Sequence, residues 1–141
     1  MVIIINNHYD IFILYDFISL TSVLVVDDGR FMRMMLKDTL VSIPCVNILE
    51  ANDSSSAIEM YKKEKPDLVT MDVNLPGADG ISCMKDILKI NPQAKVLMIS
   101  GIDQKHVMNN AMNSGAKGYI KKPFNKIEVI SKVKKILDEY A

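Results

Sequence analysis

From Ser22 onward the chain alternates short β-branched apolar runs with stretches whose apolar positions recur every three to four residues. The first pattern suits strands covered on both faces, the second amphipathic helices, and their alternation predicts βαβ units around a parallel sheet. Five such pairs follow. The predicted strands are Val23–Val26, a run around Val46 to Ala51, Leu68–Met71, Val96–Ile99 and Gly118–Lys121. The first helix runs from about Arg30 to Leu40, with Met32, Met35, Leu36 and Leu40 inward, Arg33, Lys37 and Asp38 on the other face, and Pro44 beyond its end. The second begins in the Asp53/Ser56 region, where Ser56-x-x-Glu59 matches a capping box, and buries Ala57, Ile58 and Tyr61. Asp79 caps a third helix carrying Ile81, Met84, Ile87 and Leu88, which Asn91-Pro92 stops. Asp103 opens a fourth, poor in apolar residues, that passes through Val107 and Ala111 to Gly115. Asn125 caps the last, with Val129, Val133, Ile136 and Tyr140 inward.

Length changes the picture little: 141 residues, 49% of them hydrophobic, make one domain with a sizeable core. Charge excludes more. Seventeen basic residues balance seventeen acidic ones, and no basic block is interleaved with aromatics, so no nucleic-acid partner is expected. Cys45 and Cys83 stand apart without CxxC spacing, which fits a reducing, cytoplasmic setting rather than a disulfide framework or a zinc site. Residues 1–20 form an apolar extension of unknown role ahead of the domain at 21–141. Asn6, Asn7, His8, Asp10 and Asp16 interrupt it, so no integral membrane span is expected, and it lacks the basic start and cleavage site of a secretory signal.

The chemistry lies where the strands end. In an open parallel α/β sheet, ligands bind outside the carboxyl ends of the strands. Those ends carry Asp27-Asp28, Glu50 and Asn52, Asp72, Ser100 and Lys122 in chain order. Three carboxylates, a hydroxyl and an ammonium from four of the five ends make a cluster that repels itself when empty, each close acidic pair costing ~3 kcal/mol at an effective dielectric near 20. A divalent cation relieves that repulsion. The ligands are hard oxygens without His or Cys, which selects Mg²⁺ over zinc or copper. A carboxylate beside Mg²⁺ and Lys can attack a phosphoryl group, making Asp72 a phosphoacceptor candidate.

Val-Leu-Val-Val-Asp27-Asp28, Asp72-Val-Asn-Leu-Pro-Gly with Asp79-Gly80 following, Met-Ile-Ser100-Gly and Gly118-Tyr-Ile-Lys-Lys122-Pro-Phe124 together resemble the receiver domain of two-component response regulators, of the single-domain chemotaxis type. The resemblance covers Ser22 to about Tyr140. It implies a doubly wound five-stranded parallel sheet, flavodoxin-like in its strand order 2-1-3-4-5, with helices on both faces. It also implies that Asp28 binds Mg²⁺ directly, Asp27 through water, and Asn74 by its backbone carbonyl. Asp72 is then phosphorylated by a histidine kinase, Ser100 and Lys122 meet the phosphoryl oxygens, and Tyr119 turns inward upon activation. Lys121 competes for the ion pair; Lys122 is preferred because it precedes Pro123 and because alternation from Ile120 separates the two lysines. In this family the peptide before that proline is typically cis. Gly101 should leave the pocket open to a donor.

Each residue alone has a plainer reading: Asp27-Asp28 as first-turn acids, Asp72 as a turn residue, Ser100 as a polar strand end, Lys122 as a surface cation. Joint placement on four strand ends overturns those readings. The ten methionines and His106 keep theirs, as packing and surface residues. The resemblance leaves two outputs open, a chemotaxis regulator acting on a flagellar motor or its adaptor, and a phosphorelay intermediate passing phosphoryl to a histidine. An aspartyl-phosphate phosphatase would want a carboxylate at Asn74, and a flavodoxin-like flavin carrier would want a Ser/Thr/Gly-rich cradle where Asp27-Asp28 stands.

Overall fold

The computed structural model describes residues 20–139. Five parallel strands, β1 (Thr21–Val26), β2 (Val46–Ala51), β3 (Leu68–Met71), β4 (Val96–Ser100) and β5 (Gly118–Lys121), alternate with helices α1 (Arg30–Leu40), α2 (Ser54–Glu64), α3 (Gly80–Ile90), α4 (Lys105–Asn113) and α5 (Lys126–Glu139). The sheet order is β2-β1-β3-β4-β5, the doubly wound arrangement expected. Because the chain leaves β1 toward one side and returns to β3 on the other, the carboxyl ends of β1 and β3 flank the switch point where such sheets bind ligands.

The two-residue period of the strands divides the interior in two. Leu24, Val26, Val69, Met71, Val96 and Met98 face α2, α3 and α4, and pack with Ala57, Tyr61, Met84, Ile87 and Ala111. Val23, Val25, Leu68, Leu97, Ile99 and Ile120 face α1 and α5, and pack with Leu36, Leu40, Val129, Val133 and Ile136. Central strands buried on both sides explain the unbroken apolar runs.

Helix starts follow local side-chain acceptors, with two corrections. Asp53, not Ser56, is the N-cap of α2; its Oδ1 accepts from the Ser56 amide at 2.8 Å and from the Ser56 hydroxyl at 2.6 Å. Ser56 is thus already inside the helix, and the Ser56/Glu59 box does not form its start. Asp103 does not cap α4 either: the helix begins after Gln104, with no side chain accepting from its first turn. Asp79 caps α3 as expected, its Oδ1 taking the Ser82 amide at 2.8 Å. Asn125 serves α5 through the Ile127 amide at 2.7 Å. The inward placement expected for Tyr140 lies outside the described residues. No helix among the described residues is long and apolar enough to cross a membrane.

Candidate functional site

At the carboxyl edge of β1 and β3, Asp27, Asp28 and Asp72 each bring a carboxylate oxygen within 4.8 Å of the others. Asp27 and Asp72 are buried, at 3% and 7% exposure, whereas Asp28 is exposed. The two buried carboxylates are held in the same way. One oxygen accepts a backbone amide two residues on: Gly29 N–H to Asp27 Oδ1 at 2.8 Å, and Asn74 N–H to Asp72 Oδ1 at 3.1 Å. The other oxygen meets Lys122, whose Nζ lies 2.6 Å from Asp27 Oδ2 and 3.0 Å from Asp72 Oδ2. Asp28 has no such partner among the described residues and stands at the open side.

Charge at this edge does not balance. One ammonium meets two of the three carboxylates, and a pair of like charges at such separations costs about 3 kcal/mol at an effective dielectric near 20. Burial is the largest single influence on Lys122 and disfavours its charge, yet hydrogen bonds and charge from Asp27 and Asp72 outweigh it and hold the ammonium above its ordinary pKa. The remaining negative charge, on all-oxygen ligands with Asp28 facing outward, fits a hard divalent cation.

Lys122 is the lysine of the site, and Lys121, at the end of β5, is exposed. Alternation accounts for the difference, and the Lys122–Pro123 peptide is cis, as the resemblance implied. The loop after β3 is fixed from the other side by Gly80, whose amide donates to the Val73 carbonyl at 2.7 Å. A Cβ at Gly80 would fall 1.9 Å from the Asp72 carbonyl oxygen, so the chain passes here only without a side chain. Around Gly101 the pocket is open, but a Cβ there would meet nothing within 4 Å, so the opening does not depend on glycine.

Ser100 is fully buried, and its Oγ accepts from the Ile102 amide at 3.2 Å. Tyr119 lies inward, 7% exposed, with its hydroxyl donating to the Ile102 carbonyl at 2.6 Å. Ile102 is therefore gripped at both polar ends of its backbone, once by each of the two candidate switch residues. Burial raises the Tyr119 phenol above its ordinary pKa; Ser100 works against the rise, and Asp72 and Asp103 add to it.

Glu50 and Asn52, at the end of β2, stay out of the carboxylate cluster: Glu50 instead pairs with Arg33 at 3.3 Å and Lys37 at 3.1 Å. Arg33 was read only as part of a polar helix face. Its NH1 donates to the Asp27 carbonyl at 2.7 Å, bracing the acidic turn from α1. The available signal was its place in the second turn of a helix that starts beside the acids, since helical side chains lean toward the N-terminus.

Comparison with known proteins agrees with this geometry. Residues 23–134 match the family model described as the response regulator receiver domain. The chain is 42% identical over 116 residues to the chemotaxis protein CheY of Bacillus subtilis, covering 82% of this chain and 97% of that one. It is also 42% identical to the CheY of Thermotoga maritima over 81% of this chain and 95% of the relative. Among solved structures, the CheX–CheY–BeF3–Mg complex from Borrelia burgdorferi superposes with a TM-score of 0.80 at 32% identity, covering 86% of this chain and 92% of that one. The sheet order, the acidic edge and these matches have one meaning: the chain belongs to the response regulator receiver domain family.

Proposed function

We propose that this protein is a stand-alone phosphorylation switch in chemotaxis or motility signalling, working in the cytoplasm. A phosphohistidine on a histidine kinase supplies the phosphoryl group. Asp72 attacks the phosphorus through a carboxylate oxygen, the P–N bond breaks, and the electron pair leaves with the imidazole, which regains a proton. Water later cleaves the acyl phosphate, returning Asp72 and inorganic phosphate. The observation that carries this reading is the held carboxylate of Asp72, with one oxygen on the Asn74 amide and the other on Lys122, beside the acids Asp27 and Asp28.

Asp27, Asp28, Asp72 and the Asn74 carbonyl would hold Mg²⁺. When bound, the ion supplies positive charge that lets one anion approach another. Lys122 supplies the fixed protein cation, and the amides of Gly29 and Asn74 keep the carboxylates from turning away. Phosphorylation gives Asp72 about two negative charges; Lys122, 3.0 Å from Asp72 Oδ2, is one donor to them, and on this reading Ser100 is the other. Their movement biases the surface of α4, β5 and α5, which a flagellar motor or adaptor component then reads. The chemotaxis assignment is supported by CheY relatives matched over almost their whole length. On this reading the protein is a signalling protein that acts chemically only on itself.

Incubation with acetyl phosphate and Mg²⁺ followed by intact mass tests the proposal. One added phosphoryl group is expected, and it should be absent from Asp72→Asn and after chelation. No labelling from either acetyl phosphate or a histidine-kinase donor would sink it.

A further inference from the structure

Asp28 is the one acid of the cluster that Lys122 does not touch, so its direction depends on the residues to either side of it. Both are tied to Arg33. The Asp27 carbonyl, whose peptide plane leads into Asp28, accepts from Arg33 NH1 at 2.7 Å, and the Gly29 carbonyl accepts from the Arg33 amide at 3.0 Å. The Gly29 amide closes the turn on Asp27 Oδ1 at 2.8 Å, and Asp28 itself makes none of these bonds. No side chain caps the start of α1, so Arg33 and the backbone join the acidic turn to its helix.

The guanidinium is aimed in turn by the end of β2. Arg33 Nε donates to Glu50 Oε1 at 3.3 Å, and Lys37 donates to Glu50 Oε2 at 3.1 Å. A guanidinium carries its donors in a rigid planar fork, so a carboxylate on Nε sets the plane in which NH1 points. The pair itself adds little stability, because the Glu50 side chain is 38% exposed. Its use is geometric.

Two effects of Arg33 on a cation at this edge have opposite signs. As a positive charge it repels the ion, and its removal would tighten binding. As a brace it holds a ligand in place, and its removal would loosen binding. Glu50 and its salt bridge already offset the charge, whereas losing a group that orients a metal ligand costs about 10–100-fold in affinity. The brace is therefore the larger effect.

We propose that Arg33 is a positioning residue for the cation site: through the Asp27 carbonyl it sets the direction of Asp28, with Glu50 as its own anchor. This rests on the Mg²⁺ reading of the acidic edge.

MgCl₂ added stepwise to the full chain, followed by amide chemical shifts, gives Kd for Mg²⁺, with NaCl at equal ionic strength as the control. Arg33→Ala is expected to raise Kd about tenfold or more. Arg33→Lys, which keeps the charge and loses the fork, should raise it as well, and Glu50→Ala should raise it by less than Arg33→Ala. In an Asp28→Asn background Arg33→Ala should raise Kd no further, since the two residues act in series. An unchanged or lower Kd in Arg33→Ala would overturn the proposal, including the case in which only the urea midpoint without Mg²⁺ falls. So would wild-type affinity in Arg33→Lys, which assigns the effect to charge, or a full loss persisting in the Asp28→Asn background, which assigns it to another ligand. Wild-type affinity in Glu50→Ala would overturn the anchor. A wild-type protein that binds no Mg²⁺ would overturn the cation reading itself, and this proposal with it.

Discussion

Lys122 holds two buried carboxylates at once, so its removal separates two roles. Lys122→Ala keeps Asp72 and the acidic edge, and is expected to accept phosphoryl from acetyl phosphate while failing to engage the output partner. Intact mass and partner affinity measured on the same sample decide, and normal signalling by the variant would remove Lys122 from the switch. Gly80 sets a contest of magnitudes. Alanine in a helix gains at most about 1 kcal/mol over glycine, but a Cβ 1.9 Å from the Asp72 carbonyl forces the backbone apart, at a cost on the order of 3 kcal/mol. Gly80→Ala should therefore lower the urea midpoint and slow phosphorylation of Asp72 together. At this scale the strand-end acids and Lys122 were legible because a parallel sheet gathers its strand ends. Arg33 was not, because its contact to the Asp27 carbonyl lies in a side-chain direction that polarity patterns do not record.

Helix starts were less legible, for a reason visible at α2 and α4. Asp53 and Ser56 are both good caps three residues apart, and only the backbone shows that Asp53 is the extended residue before the first turn. Asp103 has the right side chain, but one residue too early for a helix that begins after Gln104. The Asp53 cap gives a pH test. Its hydrogen bonds to Ser56 lower the carboxyl pKa in the folded state. The stabilisation is thus present above the unfolded value of about 3.9 and is lost as pH falls through the lower folded value. The gap in stability between wild type and Asp53→Ala should be widest at neutral pH and close in acid. For Asp53→Asn, which keeps an acceptor without the charge, the gap should depend less on pH. Urea midpoints across that range check this, and a gap that stays constant for Asp53→Ala would remove the charge from the cap.

For the whole molecule, the order β2-β1-β3-β4-β5 came from the resemblance rather than from the pattern, because apolar parallel strands carry no mark of their neighbours. The acidic edge couples the fold to its ligand. A cation that binds the folded carboxylates and not the unfolded chain stabilises by mass action, about 2.7 kcal/mol at a hundredfold excess over Kd. Mg²⁺ should raise Tm for the wild type and less so for Asp28→Asn, with Na⁺ at equal ionic strength as the control. Equal shifts in both proteins would exclude Asp28 from the cation site. Finally, a parallel sheet has a direction: all five strands start at one edge and finish at the other. A six-residue β1 separates those edges by roughly 20 Å. Any label or fusion joined ahead of β1 therefore enters the domain at the starting edge, whereas Asp28 and Gly101 lie at the finishing edge.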